Sequence, residues 1–380
     1  MAPSSSARVL VLAGEASGDA WAAGVVRALR GVRPGWSFLG TGGPALAAAG
    51  VHLMAGLDRM AVMGFAEVVR HLGFFRRLER RVGEVLRSGE VSLLLAVDYP
   101  GFNLRAARAA RRCGVPVLYF VAPQVWAWKR RRARYLARDA DHIATVLPFE
   151  PELFRAWGGE ASFVGHPLAD LPPPGESELG EIRREVGAPP DAPLLALLPG
   201  SRPQEIARHL ALFAEVARRV VERQPGIRPV VAAAPGIAPG VLESAGLPVT
   251  PRTRGLLHAA RAALVKSGTS TLEATLAGTP LVVAYRTSSL TYQVARRLVR
   301  VPHIALPNLI AGERVVPEFV QGAATAPALA QALQPLLESG GAQRDAMLRG
   351  LARVRSALGS GGQAVEQVAR RAIHLVEGSR

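Results

Sequence analysis

Short apolar runs alternate with helix-periodic segments along the first half of the chain. The runs predict strands over Arg8–Ala13, Ser37–Gly40, Val91–Val97, Val115–Val121 and His142–Leu147. The segments between them predict helices over Ser17–Arg30, Phe102–Cys113 and Trp126–Arg138. Strands that alternate with helices favour an α/β fold with a parallel, doubly wound sheet.

The second half repeats this alternation after Leu171–Gly180, a segment rich in proline and glycine that is typical of a linker. Strands are predicted over Leu194–Leu198, Arg228–Ala233, Ala263–Lys266 and Leu281–Tyr285. Helices are predicted over Gln204–Gln224, Thr269–Ala277 and Leu290–Val299, and three further helical stretches follow Pro327.

We therefore expect two Rossmann-like domains that face each other across a ligand cleft, which the carboxyl ends of both sheets would form. The 380 residues suit two domains of about 150 residues each. The predicted division is an N-terminal domain over 1–170, a linker over 171–190, and a C-terminal domain over 191–380 that includes the closing helices.

The segment Met60–Arg87 combines a helix-periodic apolar stripe with arginines on the other positions. Such a basic amphipathic helix can lie in a membrane interface, with its arginines toward lipid phosphates. The alternative is a helix that packs its apolar face on the core and leaves the arginines solvated. The candidate residues for an interface are Met63, Phe65, Phe74, Arg76 and Arg77.

Positive charge is concentrated in one segment of a chain whose formal net charge is +16. Between Arg105 and Arg138 there are ten basic residues and no acidic one. A block of this kind binds phosphates, anionic lipid or nucleic acid, or forms a solvated helix face. No nucleic-acid-binding motif accompanies it, so we expect no nucleic-acid partner.

Composition excludes several classes of protein. Apolar residues make up 49% and charged residues 20% of the chain, which excludes wholesale disorder. No run approaches the roughly 18 to 20 apolar residues that span a bilayer, and the amino terminus does not resemble a secretory signal. A single cysteine, Cys113, excludes an internal disulfide and a multi-cysteine zinc site. We expect a cytoplasmic location.

Two polar positions follow predicted strands of the first half. In AGEASGD, Gly14 and Gly18 permit a tight turn, Ser17 or Asp19 suits a helix cap, and Glu15 is placed to meet a substrate.

Asp98 follows the apolar run Val91–Val97. A carboxylate there can act as a general base toward a sugar hydroxyl or can cap the next turn, and the residues alone leave both open.

The loop LPGSRPQE follows the first strand of the second half. Gly200 permits close backbone approach, Ser201 can hydrogen-bond a phosphate, and Arg202 offers a planar fork for a diphosphate. Pro203 at a helix start leaves neighbouring N–H groups to an anion. We interpret this loop as facing phosphate.

The stretch Lys266–Arg286 is the most informative of the second half. It delivers Ser267, Gly268 and Thr269 onto a helix amino end, which is a second anion site. Glu273 lies four residues later on the same face, where its carboxylate can accept hydrogen bonds from ribose hydroxyls. A Glu favoured in the first turn by the helix dipole is the alternative.

Three further polar positions have less specific surroundings. His166, beside glycine and proline, is more typical of a turn than of a ligand. Asn308 and Gln321 suit a substrate-facing loop. No HExxH or Walker motif is present, so no metal site is predicted.

These motifs together resemble the lipid-A-disaccharide synthase family, a group of GT-B glycosyltransferases. The matching stretches are AGEASGD, GTGGP, MGFAEV, DYPGFN, APQVWAW, LPFEP, FVGHPLAD, LPGSR, SGTSTLEATLAGTPLVVAYR, and LPNLIAG with VPEFVQ. They run in family order from Ala13 to Gln321.

The resemblance implies an inverting transfer in lipid A biosynthesis. UDP-2,3-diacylglucosamine would donate its sugar to 2,3-diacylglucosamine 1-phosphate (lipid X), giving lipid A disaccharide 1-phosphate and UDP. It implies no cofactor, no metal, and peripheral association with the inner face of the cytoplasmic membrane. The oligomeric state stays open.

The resemblance also implies roles for individual residues. Asp98 would be the general base, with Glu15 and Ser17 in the turn that meets the substrates. Arg202 would offset charge on departing UDP. The expected contacts to UDP are Gly200, Ser201, Arg202, Ser267, Gly268, Thr269 and Glu273, with Asn308 and Gln321 behind them.

Two other classes remain in view. One is another GT-B enzyme, either a MurG-like N-acetylglucosaminyltransferase or a UDP-sugar 2-epimerase, which would use a donor without acyl chains. The other is a non-enzymatic protein that binds RNA or a membrane surface through the basic segment, with binding that is sensitive to salt.

Overall fold

A computed structural model describes residues 6–60, 65–126, 131–234, 237–288, 292–293, 301–359 and 364–378, with only the backbone for 65–72 and 239. The chain forms two compact units. The first unit contains Met1–Asp170 and Ser360–Arg380, and the second contains Leu171–Gly359.

The first unit is built on a seven-stranded parallel sheet. Its strands are β1 (Arg8–Ala13), β2 (Ser37–Gly42), β3 (His52–Gly56), β4 (Leu93–Val97), β5 (Val117–Phe120), β6 (His142–Thr145) and β7 (Ala161–Phe163). Their order in the sheet is β3-β2-β1-β4-β5-β6-β7. The central strands are almost wholly apolar and buried, as expected where helices cover both faces.

Helices join these strands and cover the sheet. They are α1 (Ala16–Val32), α2 (Pro44–Ala48), α3 (Leu57–Met60), α4 (Phe65–Arg87), α5 (Pro100–Arg112), α6 (Arg131–Asp139) and α7 (Glu150–Arg155). The last helix of the chain, Ala364–Glu377, packs against α1 and also belongs to this unit.

The second unit contains a six-stranded parallel sheet. Its strands are β8 (Leu194–Leu198), β9 (Arg228–Ala232), β10 (Val249–Thr250), β11 (Ala260–Lys266), β12 (Leu281–Tyr285) and β13 (Glu318–Val320), in the order β10-β9-β8-β11-β12-β13. Its helices are α8 (Glu176–Glu185), α9 (Pro203–Arg223), α10 (Pro239–Glu243), α11 (Thr253–Ala259), α12 (Thr269–Ala277), α13 (Leu306–Ala311), α14 (Ala326–Leu337) and α15 (Ala342–Ala357). The final helix of the first unit is α16 (Ala364–Glu377).

The expected doubly wound architecture is present in both units. The division of the chain into domains and linker differs from the prediction in two places. Residues 176–185 of the expected linker form α8, whose buried Ile182 packs against Gly255. The closing helix α16 belongs to the first unit rather than to the C-terminal domain. The predicted helix Leu290–Val299 lies mostly outside the described residues.

The described half of α4 packs on the core of the first unit. Leu78, Val82 and Leu86 are buried, and Phe75 lies 6.5 Å from Phe102 between ring centroids. Its apolar positions from Leu78 onward therefore follow the core-facing alternative.

The residues proposed for a membrane interface have mixed surroundings. Phe74 is partly buried beneath the Arg59 guanidinium, 4.5 Å from its ring centroid. Arg76 and Arg77 are exposed, while Met63 and the side chain of Phe65 lie outside the described residues. Among the described helices, none is long and apolar enough to cross a bilayer.

The described part of the basic segment forms helix faces in contact with solvent. Arg105 pairs with Glu79, and Arg138 pairs with Asp139 at 2.7 Å. Arg108, Arg111 and Arg112 are exposed on α5. Residues 127–130, which include the lysine of the segment, are outside the described residues.

The carboxylate of Asp19 ties α1 to the turn before α2. It is buried and accepts hydrogen bonds from the backbone N–H groups of Gly43, Ala45 and Leu46 at 2.7, 3.0 and 3.2 Å. The expectation that Ser17 or Asp19 caps α1 is wrong, because α1 begins after Glu15 without a side-chain cap. Asp19 caps α2 instead.

Replacing Asp19 with Ala is expected to lower the free energy of unfolding of the first unit by about 2–4 kcal/mol, because three buried donors lose their charged acceptor. Urea denaturation measures this loss. Asp191→Ala, at an exposed position of the second unit, is the control and should leave the midpoint unchanged. Equal midpoints for both variants would contradict the capping role.

Candidate functional site

Each sheet has one point where the strand order reverses, and the candidate residues follow the strands that flank it. In the first unit this point lies between β1 and β4, which lead to Glu15 and Asp98. In the second unit it lies between β8 and β11, which lead to Ser201 and Ser267. Ligands of doubly wound sheets bind outside the carboxyl ends of the strands at such points.

The backbone at the end of β4 adopts a conformation that L residues rarely take. Asp98 and Tyr99 have φ angles of 47° and 46°. The Asp98 carbonyl accepts hydrogen bonds from the Asn103 amide at 2.8 Å and the Tyr119 hydroxyl at 2.7 Å. The Asp98 N–H donates to the carbonyl of Phe120 at 2.9 Å. Strain of this kind persists where surrounding contacts fix it, and it is concentrated at functional sites.

Positive φ at residues other than glycine marks strand ends in both units. Besides Asp98 and Tyr99, the described residues of this kind are Val121, directly after β5, and Gln321, directly after β13. All four lie on the carboxyl side of their sheets, where both candidate sites are located. For a β-branched residue such as Val121 this conformation is unusual.

The Tyr99 ring fills the space that a side chain at position 14 would need. A Cβ at Gly14 would lie 2.3 Å from the ring, so glycine is required there. The Tyr99 hydroxyl donates to the carbonyl of Met60 at 2.9 Å. The turns after β1 and β4 therefore hold each other in place.

Burial raises the pKa of Asp98 from 3.8 to about 6, and the negative charge of Glu15 adds to this effect. A hydrogen bond from the Tyr99 N–H acts in the opposite direction. A carboxylate with this pKa is mostly ionised at neutral pH and is more basic than an ordinary aspartate. Glu15 and Ser17 are both exposed at the start of α1.

The loop after β8 contacts a carboxylate of the protein itself, that of Glu205 in the first turn of α9. Arg202 is exposed and is the N-cap residue of α9. The N–H of Ser201, a residue expected to hydrogen-bond a phosphate, donates to the Glu205 carboxylate at 3.1 Å. Gly200, with a φ of 131°, leaves room for that carboxylate, because a Cβ there would lie 2.6 Å from the Glu205 Cβ.

Lys266, at the end of β11, pairs with Glu205 at 2.7 Å between Nζ and Oε1. Both side chains are largely buried. Burial acts to raise the pKa of Glu205, but Lys266 and the Ser201 N–H outweigh it and leave that pKa below its usual value. The sequence reasoning missed this pair, although Lys266 is one of only two lysines in the chain.

The turn after β11 leads into α12 as predicted. Gly268 is the N-cap residue, and Thr269 is exposed at the start of the helix. Glu273 is partly buried, and burial raises its pKa although a hydrogen bond from Ser270 opposes this. The Ser267 hydroxyl donates to the Ile304 carbonyl at 2.8 Å, so it supports the neighbouring loop.

A buried histidine connects α9 to the end of β12. The Arg286 N–H donates to His209 Nε2 at 2.9 Å, so His209 Nδ1 must donate to the Glu205 carbonyl, 2.7 Å away. Burial lowers the pKa of His209, which keeps the ring neutral. His209 thus fixes Arg286 relative to Glu205.

A cavity of about 450 Å³ opens beside this connection. It is lined by Arg208, Arg286, Thr287, Gln321 and Gly322. The Gln321 amide pairs with the Thr287 backbone at 2.9 and 3.2 Å, and the Arg286 guanidinium donates to the Ala324 carbonyl at 2.6 Å. The two arginines were not among the predicted residues. Arg208 lies in none of the quoted motifs, and Arg286 entered only as the last residue of the stretch Lys266–Arg286.

Asn308 organises the loop that precedes β13. Its side chain is fully buried. The Asn308 Nδ2 donates to the Val316 carbonyl and the Glu318 carboxylate. The Asn308 Oδ1 accepts from the N–H groups of Val315 and Val316. Asn308 therefore positions the segment before Gln321, and its expected place behind the direct contacts to UDP stays a prediction.

One other residue singled out in the sequence has a clear partner. His166 Nδ1 accepts from the Leu168 N–H at 3.1 Å, which agrees with a turn residue. Within the described residues, no group of three or more histidine, cysteine, aspartate or glutamate side chains is placed to hold a metal ion.

One family of known proteins matches nearly the whole chain. The family model described as LpxB, lipid-A-disaccharide synthetase, matches residues 9–370. The lipid-A-disaccharide synthase of Geobacter sulfurreducens is 40% identical over 369 residues, covering 95% of this chain and 96% of the relative. That of Pseudomonas syringae pv. tomato is 39% identical, covering 89% and 90%.

Solved structures share the fold at low identity. The calicheamicin glycosyltransferase CalG4 has a TM-score of 0.60 at 18% identity, covering 99% of both chains. Medicago truncatula UGT71G1, complexed with UDP-glucose, has a TM-score of 0.60 at 13% identity, covering 97% of this chain and 98% of that one. The GT-B fold predicted from the sequence is confirmed.

The Asp98 carboxyl is expected to titrate near pH 6, and Glu15→Gln should lower its pKa because a nearby negative charge is removed. Carbon-13 NMR of labelled aspartate carboxyls measures both values. Glu90→Gln, before the amino end of β4, is the matched control and should leave the Asp98 pKa unchanged. A wild-type pKa near 4 would contradict the proposed environment.

Proposed function

Because the chain belongs to the lipid-A-disaccharide synthetase family, it is a glycosyltransferase of lipid A biosynthesis, and we propose how its own residues perform the transfer. The donor is UDP-2,3-diacylglucosamine and the acceptor is 2,3-diacylglucosamine 1-phosphate. The products are lipid A disaccharide 1-phosphate and UDP. The single observation that carries the proposal is the raised pKa of Asp98 on a strained, clamped turn.

In the first unit, Asp98 is the general base. Its carboxylate accepts the proton of the acceptor hydroxyl while that oxygen forms a bond to the anomeric carbon of the donor. The bond from the anomeric carbon to UDP breaks with its electron pair leaving on UDP, so a single displacement inverts the configuration. The hydrogen bonds from Asn103 and Tyr119 to the Asp98 carbonyl orient this residue.

Glu15 has a supporting role in this step. Its negative charge raises the pKa of Asp98 and so makes the base stronger. Glu15 and Ser17 are exposed on the turn after β1, next to β4 in the sheet, and this position supports contact with the sugar hydroxyls.

In the second unit, Arg202 and Lys266 offset the charge that develops on the departing diphosphate. The exposed Arg202 side chain has no ion-pair partner among the described residues. Lys266 is neutralised by Glu205 at 2.7 Å, so it becomes available when the diphosphate replaces that carboxylate. Gly200, Ser201, Gly268 and Thr269 supply backbone and hydroxyl donors, and Glu273 accepts from the ribose.

The transfer proceeds without a metal ion in this proposal. Fixed cations and helix amino ends stabilise a leaving diphosphate in the way that a bound metal does in other transferases. Arg202, Lys266 and the start of α12 support this assignment.

The acyl chains of both substrates suggest peripheral association with the inner face of the cytoplasmic membrane. The exposed Arg76 and Arg77 on α4 support contact with lipid phosphates. Phe74 is partly buried against the protein and contributes less to an interface than the sequence suggested.

Incubation of the purified protein with both diacylated substrates, followed by mass spectrometry, tests the reaction. We expect the diacylated disaccharide 1-phosphate and stoichiometric UDP. Turnover of UDP-N-acetylglucosamine in place of the diacylated donor would contradict the proposed substrates.

Asp98→Asn is expected to reduce transfer by about 10²-fold or more and to leave the dissociation constant for UDP unchanged, because it removes only the base. Coupled UDP-release kinetics and isothermal titration measure the two quantities. The exposed Asp191→Asn variant is the control. Near-normal turnover by Asp98→Asn would exclude Asp98 as the base.

Arg202→Ala is expected to weaken UDP binding about tenfold to a hundredfold, the effect of losing a charge-assisted hydrogen bond to phosphate. The comparison variant is Arg223→Ala, which removes an exposed arginine from the other end of α9 and should bind UDP normally. Isothermal titration that gives equal affinities for the two variants would refute the role of Arg202.

A further inference from the structure

The first unit contains a cavity of about 400 Å³ that the reaction does not use. It lies between the edge strand β7 and α16, and it is lined by Ser162, Val164, Gln367, Arg370, Arg371 and His374. In the sheet, β7 lies three strands from β4, which is about 14 Å at the usual strand spacing. The cavity is therefore separate from Asp98.

The side chains from α16 form one continuous face of the helix. Gln367, Arg370, Arg371 and His374 follow the spacing i, i+3, i+4 and i+7, which brings them together on one side. The neighbouring side of α16 is buried, with Ala364, Val368, Ala369, Ala372 and Val376 in the core. The core contacts thus hold the basic face over β7.

Positive charge in this cavity lacks a protein counter-charge. None of the six lining residues is acidic. Across the described residues, neither Arg370 nor Arg371 makes a side-chain hydrogen bond or ion pair, although Arg371 is partly buried. Of the two acidic residues of α16, Glu377 pairs with Arg33 and Glu366 is exposed outside the lining.

The floor of the cavity adds neutral hydrogen-bonding groups. The Ser162 hydroxyl lies 2.8 Å from His142 Nε2. Burial, together with the charges of Arg371, Arg155 and His374, lowers the pKa of His142 to about 4, so this ring is neutral near pH 7. A neutral floor below two arginines suits an anion with several oxygens.

We propose that this cavity binds a phosphate group, carried either by a small molecule or by a lipid headgroup, through Arg370, Arg371 and Ser162. Guanidinium groups match the geometry of phosphate oxygens, and a partly buried guanidinium without a carboxylate partner is stabilised by such a ligand. This site is independent of the sugar transfer and would exist whether or not the proposed reaction is correct.

The test compares two double variants that remove the same charge. Arg370→Ala/Arg371→Ala alters the cavity, and Arg111→Ala/Arg112→Ala removes an exposed adjacent pair from α5 of the same unit. Inorganic phosphate is titrated calorimetrically in saturating UDP, so that any diphosphate site is filled. We expect the cavity variant to lose affinity about tenfold or more and the control to bind like wild type.

A second arm separates the two sources of phosphate. Flotation with phosphatidylcholine vesicles, with and without phosphatidylglycerol, is measured for the same proteins. Loss of binding to the anionic vesicles in the cavity variant alone identifies a lipid headgroup, whereas loss confined to inorganic phosphate identifies a small molecule. Equal binding by both variants in both arms, or binding by wild type to neither inorganic phosphate nor anionic vesicles, would overturn the proposal.

A measurement on the unaltered protein covers the case in which the cavity variant does not fold. Phenylglyoxal modification is mapped by peptide mass spectrometry with and without inorganic phosphate. We expect protection of Arg370 and Arg371 and none of Arg111 and Arg112. Equal modification of both pairs in the presence of phosphate would refute the site.

Discussion

The clamped backbone at the end of β4 is the constraint on which the first unit's site depends. Asp98 and Tyr99 occupy left-handed conformations, and the contacts that fix them come from α5, β5 and the carbonyl of Met60. Because these elements belong to the core, the strain is maintained by the fold as a whole. The same turn places the carboxylate where burial and Glu15 raise its pKa. The fold therefore determines both the backbone conformation and the pKa of Asp98.

The second unit also fixes its turns through a largely buried charged contact, in which a lysine is paired with a carboxylate. Its loops after β8 and β11 are held by the Glu205–Lys266 pair, and His209 extends the connection to Arg286 at the end of β12. The carboxylate of Glu205 already occupies the backbone donor of Ser201. In the proposed reaction, the diphosphate therefore competes with this carboxylate for Lys266. While UDP is absent, the Glu205 carboxylate lowers the free-energy cost of keeping the largely buried lysine charged.

Much of the fold follows from the sequence because buried parallel strands are apolar runs bounded by turns. The bounds of β1, β8, β12 and α12 agree with the prediction to the residue. The strands β7, β10 and β13 have only two or three residues, too few for any periodicity to identify them. Helix α16 was assigned to the wrong unit because packing against α1 leaves no signal in local spacing. The burial of Asn308 could not be predicted for a similar reason, since a buried amide and an exposed one look alike in a sequence.

The pH dependence of kcat/KM for the wild-type protein with both diacylated substrates tests the central claim most directly. An ionised Asp98 is required for proton transfer, so activity should fall with decreasing pH through one ionisation near pH 6. The limb should have a slope of one, because a single carboxylate is protonated. A rate that stays constant from about pH 7 down to about pH 5 would contradict the assignment of Asp98 as the base whose pKa the fold raises.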